Sequence, residues 1–136
     1  MTSVIYASLL AFLICWLSLN VIKKRWKYKI DMGDGENKEL KVAMAAQSNA
    51  IEYIPIALLL LFALEYNQAN ILIIHLLGIA LVTGRIIHAR SLLLANFNGR
   101  VLGMQITIYT ILGLAILNIV YLPYSQLFKH VVLLAQ

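Results

Sequence analysis

Four apolar runs, each long enough to cross a bilayer as a helix, divide this chain and constrain it more than any other feature. They cover about residues 4–22, 40–64, 71–87 and 101–122, and a bilayer core takes about 20 residues per helix. Each run is continuous, without the alternation of a barrel strand, so helices are the reading. Composition agrees. A chain of 136 residues, 62% hydrophobic and 12% charged, has too little interior to hide that much apolar surface as a soluble domain. The sequence thus predicts an all-α integral membrane protein, a single four-helix membrane domain over residues 1–136. The first run has no basic residue before it and no small-x-small cleavage site after it, so it reads as a retained helix. The tail from 123 to 136 is too short for a fifth span and is expected at the interface.

Charge placement sets the expected orientation. Lys23, Lys24, Arg25, Lys27, Lys29, Lys38 and Lys41 lie around the link between the first two helices. Arg85, Arg90 and Arg100 surround the turn between the third and fourth, and Lys129 alone falls on the opposite side. The positive-inside rule then puts both termini outside the cytoplasm, with residues 23–39 as a cytoplasmic loop. Orientation and anionic headgroups account for the net charge of +5, and no base-reading motif points to nucleic acid. Trp26 and Tyr28 at one boundary, and Tyr66, Tyr121 and Tyr124 at the other, fit aromatic belts. The loop KIDMGDGENKE, with two glycines and four acids, reads as a mobile turn. Cys15 is the single cysteine, which excludes an intrachain disulfide.

Polar residues inside the spans carry the chemistry. Residues three and four apart share a helix face, so Lys41, Ala45, Ser48, Asn49 and Glu52 form one stripe on the second helix. An ionisable group at membrane depth normally faces the bundle and finds a partner, so Glu52 is expected to point inward, toward a cation. Pro55 removes a backbone donor and crowds the Ile51 carbonyl, which predicts a kink beside Glu52. Arg85 and His88 share a face of the third helix. Arg100 follows the turn ANFNG, and Arg90 is rotated away from Arg85, toward headgroups. His75, alone near the far end, reads as an interfacial or hydrogen-bonded residue.

Two readings of this cluster stand open. Glu52 could pair with Arg85 or Arg100 and pin the helices in register. Alternatively, the arginines, carboxylate and amides could bind a small zwitterionic anion, since guanidinium forks grip carboxylates while Glu52 accepts from an ammonium. A neighbouring arginine would also hold a thiolate. A metal site is not expected, because the histidines at 75, 88 and 130 are far apart. A Ser-His-Asp site has no support, because both aspartates lie in the loop.

The stretch AQSNAIEYIP resembles the helix-two signature of the MAPEG family, membrane-associated proteins in eicosanoid and glutathione metabolism. The matching residues are Ala46, Gln47, Asn49, Glu52, Tyr53 and Pro55. Arg85-Ile-Ile-His88 resembles the family's Arg-x-x-His/Tyr on helix three, and Arg100 stands where the family's arginine opens helix four. The resemblance implies a homotrimer that binds glutathione as co-substrate between neighbouring subunits, near the cytoplasmic side. It implies that Glu52 and Asn49 hold the γ-glutamyl end, and that Arg25 meets a glutathione carboxylate. Arg85 and His88 would line the pocket, and Arg100 would act as the catalytic residue by stabilising the thiolate. The implied activity is that of a transferase or peroxidase, acting on a lipophilic electrophile or hydroperoxide that arrives from membrane lipid.

The chain departs from the family pattern at two places. Many members have an arginine where this chain has Met44 and Ala45, and a tyrosine near the position of Leu92. The family also includes a lipid binder without catalysis, so a scaffold for lipid or partner is the alternative. A small four-helix proton-coupled transporter is a third, disfavoured because Glu52 lies among cations that hold it ionised. Ala43, Ala46 and Ala50, with Gly99-x-x-x-Gly103, supply small-residue edges that suit either a neighbouring subunit or packing within one chain. Minimal loops and the lack of a retention signal point to a bacterial inner membrane.

Overall fold

The computed structural model describes residues 1–124. Residues 125–136, with Lys129, His130 and most of the tail, lie outside the described region. Four helices run in sequence: α1 (Ser3–Tyr28), α2 (Lys38–Tyr66), α3 (Ile71–Leu93) and α4 (Phe97–Val120). All four are long and apolar enough to span a membrane. This is an all-α, four-helix membrane bundle. α2 and α3 pack on each other and each touches both outer helices, whereas α1 and α4 do not meet.

The helices overrun the apolar blocks at the basic end. α1 continues through its lysines and Arg25 to Tyr28, and α3 continues to Leu93. Lysine and arginine are good helix formers whose stems lie along apolar surface while their charges reach water, so nothing stops the helix at the hydrocarbon boundary. The 26 residues of α1 extend about 39 Å at ~1.5 Å per residue, more than the ~30 Å hydrocarbon core.

Asparagines start the next three helices. Asn37 accepts from the Leu40 amide at 3.0 Å, Asn70 from Leu72 at 2.9 Å and Asn96 from Gly99 at 3.1 Å. Each side chain satisfies an amide that the first turn leaves without a partner. Asn96 thereby begins α4 at Phe97, four residues ahead of the apolar run, and puts Arg100 in the first turn. α1 has no such cap. The carboxylate of Glu65, at the end of α2, instead accepts from the amides of Thr2 and Ser3 and from the Ser3 hydroxyl. Beside it, the Tyr6 hydroxyl meets His75 Nδ1 at 2.6 Å. His75 is therefore a hydrogen-bonded residue, as its isolation in the sequence suggested.

Small residues let the helices close on one another. Ala43, Ala46 and Ala50 are buried inside the bundle, against α1 and α3 residues such as Leu17 and Leu81. A Cβ on Gly103 would lie 2.5 Å from the His88 nitrogen and 2.8 Å from the Gly84 carbonyl oxygen. The α3 and α4 backbones thus touch, and Gly103 and the α2 alanines are used within one chain. Lipid tails provide no hydrophobic drive between helices, so such close van der Waals packing supplies the association. α2 runs unbroken through Pro55.

The link between α1 and α2 is tied down. Arg25 Nη1 donates to the carbonyls of Asp31 at 3.2 Å and Gly33 at 3.0 Å. The loop expected from composition is present and passes around one guanidinium.

Candidate functional site

The asparagine and arginine singled out on α2 and α3 meet in the bundle. Arg85 is fully buried, and its Nη2 donates to Asn49 Oδ1 at 2.7 Å. Its guanidinium carbon also lies 5.8 Å from the Tyr53 ring centroid, a cation–π distance. Nε and Nη1 of Arg85, and Nδ1 of His88, have no hydrogen-bond partner among the described residues. Burying donors without acceptors is unfavourable, and native proteins keep few such groups. Here three buried nitrogens, two of Arg85 and one of His88, cluster within one turn of α3.

Glu52 is not that partner. Among the described residues no ion pair joins it to Arg85 or Arg100, and its side chain is exposed on the outer face of α2. The expectation that Glu52 points into its own bundle is corrected. The buried face of α2 follows Ala43, Ala46, Ala50, Ile54 and Ala57, and Glu52 is rotated off that line. Asn49, at its edge, is the residue that reaches Arg85. Within one chain the ion-pair reading is replaced by an amide-to-guanidinium bond.

A groove opens beside this pair, between α2, α3 and α4. Its lining includes Asn49, His88 and Arg100, with Ala45, Leu92 and Gln105, and its volume is about 460 Å³. Arg100 is exposed at the mouth, with its guanidinium carbon 5.8 Å from the Phe97 ring centroid. Three of the six candidate residues therefore share one cavity, and Arg85 stands behind Asn49. Glu52 lies one turn along α2 from Asn49, on the exposed side.

Arg25 is not brought there. Its guanidinium is engaged by the loop carbonyls and lies 3.7 Å from Met44 Sδ. The two departures from the family pattern do converge on the groove. Ala45 and Leu92 both line it, so short or apolar side chains stand where many members carry a cation and a phenol.

Two polar contacts went unread in the sequence. Gln47, rotated off the α2 stripe by its place in the helix, donates to Ser18 at 2.8 Å and ties α2 to α1. Asn118 donates to the Leu60 carbonyl at 2.9 Å, tying α4 to α2. An amide at membrane depth signals such a bond without identifying its partner.

The family model described as MAPEG family matches residues 3–120. The chain is 36% identical over 129 residues to the inner membrane protein YecN of Escherichia coli K12, covering 95% of this chain and 98% of that protein. It is equally similar to the YecN protein of Escherichia coli O6:H1 strain CFT073.

Proposed function

The chain belongs to the MAPEG family, and from that premise we propose that it is a glutathione-dependent membrane transferase or peroxidase acting on lipophilic substrates. One observation supports this reading above the others: Asn49, His88 and Arg100 line one groove, one helical turn from the exposed, unpaired carboxylate of Glu52. An ionised carboxylate does not face hydrocarbon alone, so Glu52 needs a cationic partner from outside its own chain. The ammonium of glutathione is such a partner. Arg100, at the mouth, is suited to hold the thiolate. In conjugation the sulfur forms a bond to an electrophilic carbon while the leaving group departs with its electron pair.

The site is incomplete in one copy, because Arg25 and Glu52 lie outside the groove. A homotrimer would complete the donor set once a neighbour's Arg25 exchanged the carbonyls of its own loop for the ligand's carboxylate. The basic end then faces the cytoplasm, with both termini on the opposite side, and the E. coli relatives make the bacterial inner membrane the location.

A second reading draws on Ala45 and Leu92. With a shorter, more apolar lining, the groove would suit a lipid or partner without forming thiolate, which makes the protein a scaffold. The experiment that separates the two is a glutathione titration of the detergent-purified protein, followed by ultraviolet difference absorbance at the thiolate band. The enzyme reading expects a thiolate signal that disappears in Arg100→Ala while glutathione remains bound. Absence of binding at millimolar glutathione would overturn it and leave the scaffold.

A further inference from the structure

A second groove lies between α1 and α3 and shares no α2 or α4 residue with the site above. Leu13 and Trp16 from α1, with Ile86 and Leu93 from α3 and Leu94 just beyond its end, form its apolar walls, and its volume is about 450 Å³. Arg90 is its one charged lining residue. The guanidinium is exposed, and among the described residues no carboxylate pairs with it. We propose that this groove holds one anionic phospholipid of the bilayer, with an acyl chain against Leu13, Trp16 and Ile86 and the headgroup phosphate on Arg90.

Three features select this occupant. The walls are apolar and open on the outside of the bundle, so a lipid chain reaches them without crossing protein. Arg90 stands in the last turn of α3, where the apolar block gives way to the basic end and where a phosphate group lies. Its free guanidinium can grip two phosphate oxygens with paired N–H donors, which a zwitterionic headgroup answers less well because its own ammonium opposes the cation.

Lys23 reinforces the sign. It is seven residues beyond Trp16, two turns along the same face of α1 and about 10 Å nearer the basic end. Lys24 and Lys27 are drawn to Glu39, at 2.9 and 3.7 Å, whereas Lys23 makes no such pair among the described residues. Two unpaired cations thus stand at and above the end of an apolar slot.

Trp16 is half-exposed in the wall and makes the proposal measurable. Trp26 is the other tryptophan, so Trp26→Phe leaves Trp16 as the single indole. This variant is reconstituted in phosphatidylcholine nanodiscs with a minor fraction of phosphatidylglycerol, and bromine is placed on the acyl chains of one lipid or the other. The expected result is quenching by brominated phosphatidylglycerol beyond its bulk fraction, by roughly fivefold, the factor that one cationic contact near the surface supplies. In Arg90→Gln the quenching should fall to the bulk fraction, while brominated phosphatidylcholine should still quench Trp16. Equal quenching per mole by both lipids would overturn the proposal, as would an anionic preference that survives Arg90→Gln. Protection of Trp16 from both lipids would show that protein covers the groove, and would overturn it too.

Discussion

Arg85 and Asn49 are joined across α3 and α2 by a 2.7 Å hydrogen bond, with the arginine fully buried. No carboxylate neutralises the guanidinium among the described residues. Its charge rests on one amide oxygen and the face of Tyr53.

Removing the amide should therefore be felt in stability before function. A hydrogen bond to a charged group is worth about 1.5–3 kcal/mol, and the group left unsatisfied adds its own penalty. Asn49→Leu is expected to destabilise the bundle by about that amount. Unfolding in mixed micelles titrated with dodecyl sulfate measures it. Asn49→Asp, which offers the guanidinium an anion, should keep more stability than Asn49→Leu.

The α3–α4 contact should reject a single methyl group. A Cβ on Gly103 meets backbone atoms of His88 and Gly84, which cannot swing aside as a side chain would. Gly103→Ala is expected to destabilise by about 1–3 kcal/mol, the usual penalty for overpacking. It should also shift His88, and with it the groove. Gly113→Ala is the control, since its Cβ would lie an ordinary 3.8 Å from Leu77. Thermal unfolding of the two variants side by side tests the contrast.

The far end predicts a different loss. Glu65 gathers two amides and a hydroxyl at the start of α1. Glu65→Ala is expected to fray that first turn and to speed amide exchange at Ser3, Val4 and Ile5. Glu52→Ala, which removes an exposed carboxylate, should leave exchange in its own chain unchanged.

The two departures from the family pattern offer a gain. Ala45→Arg and Leu92→Tyr would each add a donor to the groove that contains Asn49 and Arg100. If this groove receives glutathione, Ala45→Arg should tighten binding by roughly tenfold or more, in line with about 1.5–3 kcal/mol for a charged hydrogen bond. Isothermal titration with glutathione reads the change directly. Unchanged affinity in both variants would place the ligand elsewhere.

Much of this molecule was written locally. Continuous apolar runs without alternation mark helices rather than barrel strands, because a helix satisfies its backbone within a single segment in lipid and can turn every face to it. The spacing of Asn49 and Glu52, and of Arg85 and His88, put each pair near one face of one helix by simple rotation. Two helix starts were missed: hydropathy begins the second and fourth runs at about 40 and 101, whereas Asn37 and Asn96 start α2 at Lys38 and α4 at Phe97, because caps are polar.

What rotation along one helix cannot give is which face a neighbour covers. Polar character argued that Glu52 should point inward, but the alanine line of α2 is what packs, and it turns Glu52 outward and brings Asn49 to Arg85. The Gly103 approach, the Glu65 cap on α1, and the meeting of Ala45 and Leu92 in one groove are contacts between segments far apart in the chain. They depend on how closely backbones can approach, a property of paired surfaces that no single helix contains.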